Sequence, residues 1–115
     1  MEISPEIQEK IKQAQQIQQQ LQLVATQKYQ LEMGVKELEK TLEELGKVKE
    51  DTRIFVSIGR LLVEAKDKEE LKKKLEDEKE TMELRLKTLK KQIKFLEDRL
   101  NQIQQELNQM ARGVA

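Results

Sequence analysis

The residues best able to suggest chemistry in this 115-residue chain are paired carboxylates, Glu43-Glu44 and Glu69-Glu70, and lysine runs, Lys72-Lys73-Lys74 and Lys90-Lys91. Two adjacent carboxylates could share acid–base work. Neighbours on a helix, however, do not face each other across a substrate, and no cleft is implied, so these read as solvated faces. The lysine runs could bind phosphate, but glutamates flank both and no aromatics interleave. Gly59 alone is turn chemistry and not a phosphate-cradling loop. The chain contains no Cys and no His. That removes the thiolate nucleophile, the imidazole base, zinc and haem ligation, and any disulfide. Carboxylates could still take a hard cation, yet no loop is built for one. The expectation is no catalytic, cofactor-binding or metal-ligating residue, no cofactor, and no enzyme.

What remains is architecture. Lys+Arg and Asp+Glu both number 22, charged residues make up 38% and aromatics 3%. So few aromatics and so little Gly disfavour a compact globule, and the Glu/Lys/Leu/Gln bias favours long helices. No apolar stretch approaches the roughly 18 residues of a membrane span, and no signal-peptide pattern opens the chain. A soluble cytoplasmic protein acting on neither membrane nor nucleic acid is expected, with residues 1–115 forming one domain.

Two heptad stripes position everything else. Ser4-Pro5-Glu6 reads as a helix start: a cap, a proline at the first helical position, and an acid at the positive end of the dipole. Ile3, Ile7, Lys10, Ala14, Ile17, Leu21, Val24, Lys28, Leu31, Val35, Leu38, Leu42 and Leu45 then alternate steps of four and three, a coiled-coil seam broken only by the two lysines. Lys28 reads as a register device or a snorkelling side chain. Gly46 stands where a C-terminal cap belongs. The spacing predicts a helix over 4–45, roughly 60 Å long. Gly34 within it costs about 1 kcal/mol against Ala, and it either permits close approach by a partner or is merely tolerated. A second seam runs through Leu75, Lys79, Met82, Leu86, Leu89, Ile93, Leu96, Leu100, Ile103, Leu107, Met110 and Val114. Asp67 with Glu70 approximates a capping box, so a helix is expected over 67–112, with a local phase slip between Leu71 and Leu75 inside it.

Between the seams the period becomes two. Residues 53–66 are rich in β-branched and apolar types, split by Gly59-Arg60, which suits a two-residue hairpin turn. Pairing Ile58 with Leu61, Val56 with Val63 and Ile54 with Ala65 sorts one wholly apolar face, whereas a three-residue loop would mix the faces. The fold class is therefore mainly α: a long antiparallel two-helix coiled coil joined by one β-hairpin. A lone hairpin is marginal in water, and its open apolar edges invite pairing. Hairpins from several chains should assemble into a small sheet or barrel through Ile54, Phe55, Val56, Ile58, Leu61, Leu62 and Val63. A hairpin folded onto its own helices is the alternative.

Both termini would then meet at one tip of a projecting arm. Residues 13–27 carry no charge and are crowded with Gln, and Asn101 to Ala111 carries only Glu106. An uncharged amide surface touches many sequences without desolvating charges. Ile3, Ile7 and Ile11 would meet Leu107, Met110 and Val114 at a fraying end, with Met adaptable to varied partners. These six residues are the expected client-binding tips; equally, they could simply finish the seam.

Several stretches resemble the prefoldin family, in its beta-type subunit. Gln20-Leu21-Gln22-Leu23-Val24 followed by Gln27-Lys28 looks like its first helix. Ile54-Phe55-Val56-Ser57-Ile58-Gly59-Arg60-Leu61-Leu62-Val63 is similar to its hairpin, and Glu83-Leu84-Arg85-Leu86-Lys87 with Leu89 and Gln92 to its second helix. The longer alpha type has two hairpins, which this chain lacks. The resemblance implies an ATP-independent chaperone, a holdase. It implies a hexamer of two alpha and four beta subunits on a double β-barrel platform, with unfolded polypeptides held at the coiled-coil tips and passed to a group II chaperonin. With only two subunit types, the source would be archaeal. The alternative function is a structural oligomeric coiled-coil adaptor or spacer binding a specific folded partner.

Overall fold

The computed structural model describes residues 3–113. Its order is α1 (Pro5–Lys47), β1 (Ile54–Ile58), β2 (Leu61–Ala65) and α2 (Lys68–Gly113). Two long helices joined by one antiparallel hairpin is the expected fold class.

Local chemistry sets each boundary. The Ser4 hydroxyl accepts from the Ile7 backbone N–H at 3.2 Å, satisfying one of the donors a helix start leaves orphaned, and Pro5 opens α1. The Asp67 carboxylate caps α2 by accepting from the N–H groups of Glu69 and Glu70 at 3.0 and 3.2 Å. At the end of α1 the expectation needs correction. Gly46 is helical and not left-handed, and α1 continues to Lys47. The end is satisfied otherwise: Val48 N–H bonds the Leu45 carbonyl at 3.3 Å in a tightened last turn, and the Lys68 ammonium donates to the Val48 carbonyl at 2.6 Å. The lysine thus bonds a single carbonyl one residue past α1, near the negative end of the helix dipole.

In the hairpin, Ile54 pairs with Ala65, Val56 with Val63 and Ile58 with Leu61, the register that the apolar pattern demands. Gly59 sits at φ +58°, and no residue other than glycine has positive φ among those described. A positive φ at the first central position alone is the type II′ pattern, whose twist matches the flanking strands.

The chain divides into two compact units. One joins the start of α1, through Gln30, to the end of α2, from Leu86; the other comprises Leu31–Arg85. In the first, Ile17, Leu86 and Ile103 are buried, and in the second, Val35 and Leu45. All five are seam residues. Most other described seam positions are half-buried, while the side chains between them face solvent. The heptad pattern is thus the burial pattern, and antiparallel pairing follows from the partners, Lys10 with Glu106 in one unit and Gly34 with Met82 in the other.

A methyl group added at Gly34 would lie 3.1 Å from Met82 Sδ. That sulfur is near the free end of a flexible side chain, so it can move by the few tenths of an ångström required. Gly34→Ala is therefore expected to stabilise the chain by somewhat less than about 1 kcal/mol, the helix-propensity difference. Urea unfolding measures it; a destabilised variant would mean that Met82 is held fast.

Candidate functional site

The hairpin is the first candidate surface. Its strands leave Phe55, Ile58, Leu61, Leu62 and Val63 among the exposed large apolar residues, Leu62 at 73%. Ile54, Val56 and Ala65 are half-buried. Exposed groups lie on both faces: Ile58, Leu61 and Val63 on one, Phe55 and Leu62 on the other. Complete burial of such a side chain is worth roughly 1.5–3 kcal/mol, so much of the hairpin's apolar stabilisation is unrealised in the single chain. An open space of about 490 Å³ is bounded by Val56, Ile58 and Val63 from the hairpin and by Leu71 and Leu75 from α2. The strands themselves are stiffened on the second face. Arg53 grips Glu64 through two bonds of 3.1 and 3.2 Å, and its guanidinium stacks 5.2 Å over the Phe55 ring. Both partners are well exposed, so the pair contributes little energy but aligns the cross-strand neighbours.

The terminal unit is the second. Ile3 is 51% exposed, whereas Ile7, Ile11, Leu107 and Met110 are half-buried. Val114 lies outside the described residues. Ile7, Leu107 and Met110 thus continue the seam, Ile11 flanks it, and Ile3 is the most open of the described tip residues. Beneath them the half-buried ammonium of Lys10, a polar member of its apolar stripe, meets Glu106 at the edge of the other stripe at 2.5 Å. Such pairs fix register at some cost in stability. Nearby in sequence, the Gln13 side-chain carbonyl oxygen is buried without a hydrogen-bond partner. The uncharged stretch 13–27 and the amide-rich stretch 101–111 both fall in this unit.

Sequence reasoning missed a third feature. Leu23 and Phe95 lie off both seams and are 61% and 67% exposed. With Val24, Leu96, Gln20 and Gln92 they line an open cleft of about 280 Å³. The signal was available: two large apolar residues at heptad positions that ordinarily hold polar ones.

No group of three or more acidic side chains among the described residues is placed to hold a metal ion. No described helix is long and apolar enough to cross a membrane.

Fold and surface together define a helix–hairpin–helix coiled-coil protein whose hairpin keeps its apolar side chains uncovered. The Prefoldin subunit family matches residues 8–113, and the chain belongs to that family. It is 42% identical over 73 residues to the prefoldin subunit beta of Thermoplasma volcanium, a match covering 64% of this chain and 59% of that one. It is also 42% identical over 72 residues to that of Archaeoglobus fulgidus, covering 63% and 62% respectively. The match thus spans less than two thirds of either relative. The crystal structure of the prefoldin beta subunit from Thermococcus strain KS-1 superimposes with a TM-score of 0.86 at 30% identity, over 95% of each chain. The beta-type resemblance is borne out.

Proposed function

We propose that the chain is one subunit of an ATP-independent chaperone that captures unfolded polypeptides and passes them to a group II chaperonin. The observation that carries this reading is the hairpin, which holds five large apolar side chains in water that sister hairpins would cover. Covering comes from a hexamer of two alpha-type and four beta-type subunits whose hairpins close into a barrel platform in the cytoplasm. Ile54, Phe55, Val56, Ile58, Leu61, Leu62 and Val63 form the contact. Clients are held at Ile3, Ile7, Ile11, Leu107, Met110 and Val114. Membership of the prefoldin family supports assembly with other prefoldin subunits. The uncharged amide tract beside the tip supports capture of diverse sequences, because it donates and accepts hydrogen bonds without requiring charge desolvation. No catalytic role is assigned to any residue.

The test dilutes a denatured enzyme into the assembled protein without nucleotide and follows light scattering. The full protein is expected to suppress aggregation. Removing residues 1–11 and 107–115 should abolish suppression while sedimentation shows assembly intact. If the truncated assembly protects as well as the full one, clients are not held at the tips. If neither protects, the adaptor reading takes over.

A further inference from the structure

Acidic residues are missing from one region of an otherwise balanced chain. On α1 none lies between Glu9 and Glu32, and on α2 none lies between Glu83 and Glu97. The α2 interval carries Arg85, Lys87, Lys90, Lys91 and Lys94. The four lysines stand three and four residues apart, Lys87 with Lys90 and Lys91, and Lys94 with both of these, spacings that make like charges neighbours and destabilise a helix. Three lysines elsewhere meet carboxylates, Lys10 with Glu106, Lys47 with Glu43 and Glu44, and Lys79 with Glu39 and Glu83, whereas the Lys72-Lys73-Lys74 run, set among glutamates, does not among the described residues. None of the four has a described carboxylate within ion-pair distance.

The Leu23–Phe95 cleft lies in the same unit. Lys91 is one turn before Phe95 and Arg99 one turn after it, with Asp98 beside Arg99, so two cations and one carboxylate neighbour the exposed ring along the helix surface. The α1 wall of the cleft is made of Gln20, Leu23 and Val24, none of which repels an anion. At about 280 Å³ the cleft falls below the usual range for small-molecule pockets and suits one apolar side chain.

We propose that this basic band and its cleft dock an acidic polypeptide segment bearing a large apolar anchor, at a site separate from the client-binding tips. The anchor enters between Leu23 and Phe95, and its flanking carboxylates meet Lys91, Lys94 and Lys87. Electrostatic complementarity selects the segment and speeds encounter, while the aromatic contact supplies most of the binding energy. A nucleic-acid backbone would satisfy the lysines and leave the apolar cleft unused, which is why a peptide is favoured.

The experiment measures fluorescence anisotropy of a labelled peptide of alternating Glu and Leu on the full-length protein. Comparisons are the same peptide with Gln for Glu, and a single-stranded oligonucleotide of matching length. The acidic peptide should bind, weaken with added salt, and lose roughly tenfold or more in affinity in Phe95→Ser and in the pair Lys91→Glu, Lys94→Glu. Phe95 is largely exposed, so circular dichroism of the variants should match the parent. The form lacking residues 1–11 and 107–115 should bind the peptide as well as the parent does, which separates this site from the tips. Equal binding of the Gln peptide, unchanged affinity in Phe95→Ser, or loss of binding on tip removal would overturn the proposal. So would tighter binding of the oligonucleotide than of the peptide.

Discussion

Val56→Asp is expected to release the assembled protein into monomers or dimers while its helices persist. Val56 sits in the middle of β1, opposite Val63 and on one face with Ile54, Ile58 and Leu61. In the single chain it is only half-buried, so a carboxylate there can keep part of its hydration and the hairpin can still form. Once sister hairpins cover that face, the carboxylate has no facing cation on its own strands. An unpaired charge withdrawn from water costs several kcal/mol even after the surroundings relax, and each copy in the proposed assembly would incur that cost. Sedimentation velocity should show the mass fall, with little change in helical circular dichroism. Val56→Thr, close in shape and uncharged, should weaken assembly far less. Unchanged stoichiometry in Val56→Asp would refute the hairpin as the oligomerisation surface.

Ile103→Ala should have the largest effect on the terminal unit, a loss of roughly 2–5 kcal/mol. Ile103 is 2% exposed, the most buried of the core residues. A two-helix layer has few neighbours able to collapse into a vacated volume, so the cavity term adds to the lost transfer energy. Native-state hydrogen exchange should show amides at the end of α2 losing protection while those of the hairpin keep theirs, because stability is local to cooperative units. Phe95→Ala provides the control: its ring is 67% exposed, and surface changes of this kind usually fall within about 0.5 kcal/mol. Equal costs for the two would mean that the seam is not packed near Ile103.

Much of this was legible before any coordinates. A period of 3.5 can bury only one stripe of a helix, so Ile17, Val35, Leu45, Leu86 and Ile103 announced themselves as core. The side-chain period of a strand is two, so a one-residue slip would have turned Val56 and Val63 onto opposite faces, and the hairpin register was decidable on paper. Every tip residue but Ile11 was legible as seam, though not its degree of openness: Ile3 is uncovered while Ile7 and Met110 are half-buried. The Leu23–Phe95 cleft went unseen because periodicity reports what a helix hides and is silent about apolar groups it leaves out.

The amino-acid order alone determined which side chains are buried, where both helices begin and how the two strands pair, because these depend on spacing over a few residues. Tertiary structure alone decided which partners meet. Lys10 was visible as a polar break in its stripe, but its pairing with Glu106 depends on how many residues the hairpin consumes before α2 returns. Lys68 reaching the Val48 carbonyl, one residue past α1, depends on the same closure. Contacts between residues far apart in the chain follow from the relative placement of whole elements, and no local pattern carries that information.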